Sequence, residues 1–427
     1  MLRPALFSAA ALGRSLLSSS SALGTCAALT AAVPRWFSAQ PSPEEGDRTA
    51  DAQYTFRARD LLIERSPVQQ PPINLEDLKF GTVFTDHMFH VEHVVGQGWG
   101  RPAVKPFGLL QVHPAAQVLH YGLCCFEGMK AYAGVDGRTR LFRPELNMAR
   151  LRRSARRLQL ADFDPQELLA CLKQLLMVDR SWLPEREGYS IYVRPFIFSS
   201  ASALGVAKPA RSTISILLSP VGPYFPTGLK PISLFVDELN RRAWPGGVGD
   251  CKVGGNYAPT IQPQVEAAQR YGTSQVLYTF RESHEHPDHG EFEECGAMNM
   301  FFYMEQRDGR RVLATPALTG TILPGVTRDS VLQLASGWGE CEVQERPITI
   351  AEVRQASEEG RLLEIFGSGT ACIVQPVGSL IRANGEVYRT RFSPDDDPAG
   401  SLSSRLQRAL LDIQYGRVEH PWGVALD

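Results

Sequence analysis

The 427-residue chain has no C-x-x-C pair among its eight cysteines, almost no net charge, and no acidic residue ahead of Glu44. The first absence argues against a zinc ribbon or a dithiol centre. It leaves Cys26, Cys124, Cys125, Cys171, Cys251, Cys295, Cys341 and Cys372 as reduced, mostly buried thiols in a reducing compartment. Lys and Arg number 44 against 46 Asp and Glu, a formal charge of −2, so there is no basic footprint for nucleic acid or an anionic membrane surface. A membrane span is lacking too, because Ser, Ala and Thr dilute the uncharged stretch 16–33. With 43% hydrophobic and 21% charged residues, the chain can bury a large core in two or three domains and is expected to work on small molecules.

The missing acids matter because Arg3, Arg14 and Arg35 are spread among Ala, Leu and Ser, the composition of a mitochondrial transit peptide. A secretory signal would confine its positive charge to the start, and Arg14 breaks the apolar run. Residues 1–50 are therefore expected to be a transit peptide, cleaved past Arg35 near 37–40, plus a disordered Pro/Glu/Ser linker, with the mature protein in the matrix.

The periodicity is that of an α/β chain of α+β type. Strands are predicted at 82–95, 190–198 and 213–218, and helices at 147–160 and 165–183. Leu151, Ala155 and Leu158 share one face of the first helix; Leu168, Leu172 and Leu175 share one face of the second. Arg152, Arg153, Arg156 and Arg157 then read as a solvated face rather than a nucleic-acid patch. The Pro/Gly-rich stretch 219–228 separates a small N-terminal domain, 51–218, from a larger C-terminal one, 229–427. In the latter, strands are predicted at 233–238, 276–280, 298–304, 342–350 and 362–366. Helices are predicted at 259–271, 327–336 and 402–415, ended by Gly272, Gly337 and Gly416. Pro263 requires the first of these to start late or kink. The His-rich segment 284–289 reads as a solvated loop, and no metal site is expected.

Lys252 stands in Gly249-Asp250-Cys251-Lys252-Val253-Gly254-Gly255-Asn256-Tyr257, a segment written too tightly for an ordinary loop. A lysine amine adds to a carbonyl only when deprotonated, which calls for a desolvated, preorganised setting. The carboxylate of Glu294, in Glu294-Cys295-Gly296-Ala297-Met298-Asn299, is the second part that a pyridoxal phosphate site requires. Strand alternation puts Tyr192 and Arg194 on one face, able to read a carboxylate together. Leu323-Pro324-Gly325-Val326-Thr327-Arg328 should end a strand and open a helix whose free N–H groups, those of Val326 and Thr327, suit an anion. Alone it is a plain turn, as is Gly367-Ser368-Gly369-Thr370-Ala371.

Taken in order, Phe126-Glu127-Gly128-Met129-Lys130, residues 142–150, Tyr192-Val193-Arg194-Pro195 and the segments around Lys252, Glu294, Leu323 and Phe366 resemble the branched-chain amino acid aminotransferases of fold type IV. The resemblance runs from about Phe80 to about Gly416. It implies a two-domain pyridoxal phosphate enzyme and a homodimer. It also implies ping-pong transfer of the amino group of L-leucine, L-isoleucine or L-valine to 2-oxoglutarate, giving L-glutamate. Lys252 is then covalent anchor and acid–base catalyst, Glu294 the partner of the pyridine nitrogen and Tyr257 that of the phenolic oxygen. Arg150, Thr370 and the N–H groups of Val326 and Thr327 would hold the phosphate. The substrate carboxylate falls to Tyr192, Arg194, the N–H groups of Thr370 and Ala371, and Tyr121 from the neighbouring subunit. The apolar wall is implied to be Phe80, Phe126, Tyr192 and Tyr224, with Leu204 and Val206 from the partner.

Three features depart from that family: Gln375 stands where a second cysteine would complete C-x-x-C after Cys372, Ala297 replaces a threonine, and the His-rich loop is longer. The competing readings are another fold type IV enzyme, a D-amino acid transaminase or aminodeoxychorismate lyase, and a non-catalytic protein on the same fold. The Tyr192–Arg194 pair and Phe126 speak against the first; intact Lys252, Glu294, Tyr257 and Arg150 speak against the second.

Overall fold

The computed structural model describes residues 54–67, 74–223, 230–280, 287–391 and 400–426. The expected transit peptide and the first part of the His-rich loop lie outside the described residues, as do Tyr224 and the rest of the second half of the Pro/Gly-rich stretch, 224–228. Among the described residues the strands form two mixed sheets.

The first sheet runs Leu62–Ile63, Ala103–Pro106, His87–Val94, Arg211–Val221, Ser190–Ser199, Met129–Ala133, Thr139–Phe142 and Gly423–Ala425, with Gly98–Trp99 and Cys124–Phe126 paired off this path. Its longest pairing is antiparallel, Ser190↔Val221 through Ser199↔Ser212, so the strand expected at 213–218 reaches into the expected linker. The last strand comes from the far C-terminus, which returns to this sheet. Helices Pro144–Arg157 and Pro165–Val178 share its core through Met148, Leu151, Ala155, Leu168, Leu172 and Leu175, all fully buried. Each begins with a proline, tolerated where the N–H has no helical partner. The second also has the Asp164 carboxylate accepting from the Gln166 N–H. It stops at Val178, short of the expected 183, and continues as a 3-10 turn, Arg180–Trp182. Of the arginine face only Arg156 and Arg157 are exposed; Arg152 and Arg156 fork onto Asp162, and Arg153 donates to the Asp250 carbonyl just before Lys252.

The second sheet runs Glu291–Cys295, Gln275–Phe280, Ile232–Asp237, Ile373–Arg382, Leu362–Gly369, Met298–Glu305, Arg311–Thr315 and Glu342–Glu345. The first and sixth of these also pair, Glu294↔Asn299 and Cys295↔Met298, so six strands close on themselves. A two-residue turn, Gly296-Ala297, with Gly296 at φ 51°, makes that seam.

Three expectations need correction here. The stretch expected as a strand over 342–350 is strand only to Glu345; Ile350–Glu358 is a helix. Its signal was present: Thr349 accepts from the Glu352 N–H, the first half of a capping box. Helix Val326–Trp338 passes through Gly337 and ends at Gly339, φ 66°, because only the second glycine takes the left-handed conformation. No strand leads into that helix; the preceding one ends at Thr315. Helix Ile261–Tyr271 does start late, which puts Pro263 in its first turn.

Candidate active site

The segment carrying Lys252 is as constrained as its glycines imply. A Cβ on Gly249 would lie 2.6 Å from that of Ala243 and run into the Thr321 carbonyl. Asn256 Nδ2 donates to the Val248 and Cys251 carbonyls, at 2.7 and 2.9 Å. The Lys252 N–H donates to Ser154 Oγ at 2.9 Å, and its carbonyl accepts from the Phe126 N–H at 3.0 Å. The side chain is half-buried, with Nζ 3.0 Å from the Tyr257 hydroxyl and 5.0 Å from the centre of the Phe126 ring.

Lys252 and Tyr257 line a cleft together with Arg150, Arg242, Glu294, Ala297, Asn299, Leu323, Gly325, Val326, Thr327, Ser368, Gly369 and Thr370. On one wall Glu294 Oε1 accepts from Asn299 Nδ2 at 2.8 Å and Oε2 from the Leu323 N–H at 3.0 Å, and Arg242 Nη1 lies 2.7 Å from Oε2 as an ion pair. Burial pushes the Glu294 carboxyl up, and Arg242 is the strongest influence opposing that. Elsewhere in the cleft Val326 and Thr327 open their helix with no side-chain cap. Gly325 precedes them because a Cβ there would meet Asn299 Oδ1. Arg150 gives Nε and Nη2 to Glu127 and Nη1 to the Pro324 carbonyl, at 2.6, 2.9 and 2.8 Å. A guanidinium has five N–H donors, so two remain for an anion. The Thr370 hydroxyl donates to the Gly128 carbonyl at 3.1 Å.

These donor sets fit pyridoxal phosphate on the chemistry alone. A helix N-terminus with an arginine suits a dianionic phosphate. A carboxylate with two hydrogen-bond donors and a guanidinium beside it keeps acceptor capacity for a ring N–H.

Of the expected substrate residues, four form one cluster. Arg194 Nη2 donates to the Tyr192 hydroxyl at 3.2 Å, as strand alternation required. Its guanidinium lies 4.7 Å from the Phe126 ring centre, and Phe80 packs edge-on to Tyr192 at 4.9 Å. Phe126 also neighbours Tyr257, at 5.0 Å. The Ala371 carbonyl accepts from buried Lys130 Nζ at 2.8 Å, an amine that burial lowers to about 8. Tyr121, Leu204 and Val206 are not among the cleft-lining residues. All three are exposed, and the Tyr121 hydroxyl donates to the Leu204 carbonyl.

Sequence reading missed Arg242, Glu127 and Asn299 as site residues. Glu127 and Asn299 lay inside quoted motifs without a role. Arg242, in Arg241-Arg242-Ala243-Trp244, carried no local signal at all. The departure at Cys372 is structurally settled: Gln375 is buried, its Nε2 donating to the Lys230 carbonyl at 2.8 Å.

The amino-transferase class IV family model matches residues 124–380. The cytosolic branched-chain-amino-acid aminotransferase of Mus musculus is 45% identical over 387 residues, 90% of this chain and 97% of the mouse protein. The mitochondrial form of Rattus norvegicus is 48% identical over 370 residues, 86% and 91% of the two chains. Among solved structures, the Escherichia coli branched-chain amino acid aminotransferase aligns with a TM-score of 0.60 at 26% identity, over 80% of this chain and 98% of its own. That of Thermobaculum terrenum, solved in its PLP form, aligns at 0.60 and 20%, over 81% and 99%, a likeness of fold. The chain belongs to the class IV aminotransferases and, within them, to the branched-chain-amino-acid aminotransferases.

Proposed function

We propose that this chain transfers the amino group of L-leucine, L-isoleucine or L-valine to 2-oxoglutarate, using pyridoxal phosphate carried on Lys252. The observation that carries this is Lys252 Nζ beside the Tyr257 hydroxyl in a cleft that also holds the Glu294 carboxylate and a helix N-terminus. When bound, the cofactor supplies an electron sink for the charge left on the substrate α-carbon. Lys252 Nζ would hold the cofactor and, once free, would take the proton from the substrate α-carbon and give it back, in one direction for the branched-chain amino acid and in the other for L-glutamate. Arg194 and Tyr192, with the N–H groups of Thr370 and Ala371, orient the substrate carboxylate. Phe80, Phe126 and Tyr192 exclude water from its aliphatic side chain. An apolar wall separates one methylene from another by only ~1–3 kcal/mol, so all three substrates should be accepted.

The relatives that match are branched-chain enzymes, which does not favour a D-amino acid transaminase or a lyase. The test is a visible spectrum of wild type and Lys252→Ala, before and after L-leucine without acceptor. Conversion of the bound cofactor to its amine form by wild type alone supports the proposal. Bound cofactor that ignores leucine but answers a D-amino acid would overturn the substrate assignment.

The same reading extends to assembly and address. Exposed Tyr121, Leu204 and Val206 fit a homodimer in which each subunit completes its partner's substrate site. Domains 51–218 and 229–427, each centred on one sheet apart from the C-terminal strand Gly423–Ala425 that joins the first, fit the two-domain plan. The acid-free, arginine-bearing N-terminus supports delivery to the mitochondrial matrix; the relatives include both cytosolic and mitochondrial forms. Import of the full chain into isolated mitochondria, compared with a form lacking residues 1–40, tests that address.

A further inference from the structure

We propose that Arg242 is a positioning residue for Glu294, holding it ionised and oriented to accept from the ring N–H of the cofactor. The proposal rests on the functional reading above and adds a role to a residue outside the segments singled out in the sequence.

Arg242 and Glu294 are among the most enclosed charges of the fold, with side chains 2% and 3% exposed and Nη1 2.7 Å from Oε2. The same Nη1 donates to the Thr321 carbonyl at 3.0 Å, fixing the guanidinium to the chain that leads into the phosphate-binding turn. An ionised carboxylate has about four acceptor positions. Asn299 Nδ2 takes one on Oε1 and the Leu323 N–H one on Oε2, the oxygen that Arg242 pairs with, so Oε1 keeps room for a further donor. Asn299 also donates to the Leu323 carbonyl at 2.9 Å, so the two donors to Glu294 brace each other.

The chemistry follows from desolvation. Burial favours the neutral acid, and without Arg242 the opposing attraction would be weakened severely. A protonated carboxyl offers a donor of its own and meets the ring nitrogen with the wrong polarity. Arg242 therefore acts on the cofactor only through Glu294.

That indirectness is testable on the full chain as wild type, Arg242→Lys, Arg242→Gln, Glu294→Gln and the double variant Arg242→Gln/Glu294→Gln. Wild type is first treated with L-glutamate alone; absence of conversion to the amine form would sink the functional reading whatever Arg242 does. All five are then exchanged into pyridoxamine 5'-phosphate, and its release on dilution is followed by fluorescence. Arg242→Gln should release it at least about tenfold faster than wild type, and Arg242→Lys should stay within about threefold, because the positive charge is kept. In the Glu294→Gln background the same change should matter by less than about twofold, since the residue it acts through is already neutral. Equal losses in both backgrounds, or a lysine variant no better than glutamine, would overturn the proposal. Should Arg242→Gln fail to accumulate, Glu294→Gln against the double variant decides: release within about twofold supports the proposal, and about tenfold or more rejects it.

Discussion

Arg150 and Glu127 form a two-point ion pair inside the core, Nε to Oε1 at 2.6 Å and Nη2 to Oε2 at 2.9 Å, with side chains 4% and 0% exposed. The residue expected to hold a phosphate is thus itself held. Glu127→Ala should destabilise the protein by ~3–5 kcal/mol, because it leaves a buried guanidinium without its counter-charge. The midpoint of urea unfolding at neutral pH measures this, and an unchanged midpoint would show that water replaces the carboxylate.

The same pair predicts an acid limb. Burial pushes Glu127 up, but Arg150, helped by Lys252 and Asn147, more than reverses this, so the folded carboxyl titrates below 4.5. A lowered folded value gives stability that is complete above the unfolded value and lost as pH falls through the folded one. Urea stability of wild type should therefore decline below about pH 4.5 more steeply than that of Glu127→Ala. Parallel curves would mean that other carboxylates dominate the acid limb.

Arg194→Met removes the charge beside Tyr192 while keeping much of the apolar stem. Loss of a charge-assisted contact to the substrate carboxylate should lower kcat/KM for both leucine and 2-oxoglutarate by ~10–200-fold. Steady-state kinetics with both substrates read this out. A loss confined to 2-oxoglutarate would mean that Arg194 reads the side-chain carboxylate instead.

Partner supply of Tyr121 can be tested by mixing two weak variants. Lys252→Ala and Tyr121→Ala, co-expressed, should give hybrid dimers in which one of the two sites has an intact lysine and an intact partner tyrosine. Activity of the separated hybrid should approach half that of wild type, well above either parent. No recovery in a verified hybrid would place Tyr121 in its own subunit's site.

The parts legible in the sequence share a short range. Lys252 and Tyr257 lie five residues apart in one glycine-framed loop, and Tyr192 with Arg194 needs only the two-residue period of a strand. Glu127 with Arg150 and Arg242 with Glu294 are pairings between segments far apart in the chain, and neither member of a pair announces the other. The helix Ile350–Glu358 was hidden by the apolar run before it, Pro347-Ile348-Thr349-Ile350, which reads as strand until Thr349 is seen as a cap. Gly337 misled for a related reason: a glycine permits a helix to end without requiring it.

In chain order Lys252 belongs to the second half of the molecule, yet both sides of its peptide are fastened to the first, the N–H to Ser154 and the carbonyl to the Phe126 amide. Lys252 and Phe126 are therefore one mechanical unit. Any breathing of the two sheets that released the lysine would expose the Phe126 amide to solvent at the same instant. That single amide, followed by deuterium uptake, would time the opening of the catalytic loop, and cofactor retention and substrate fit would be lost together.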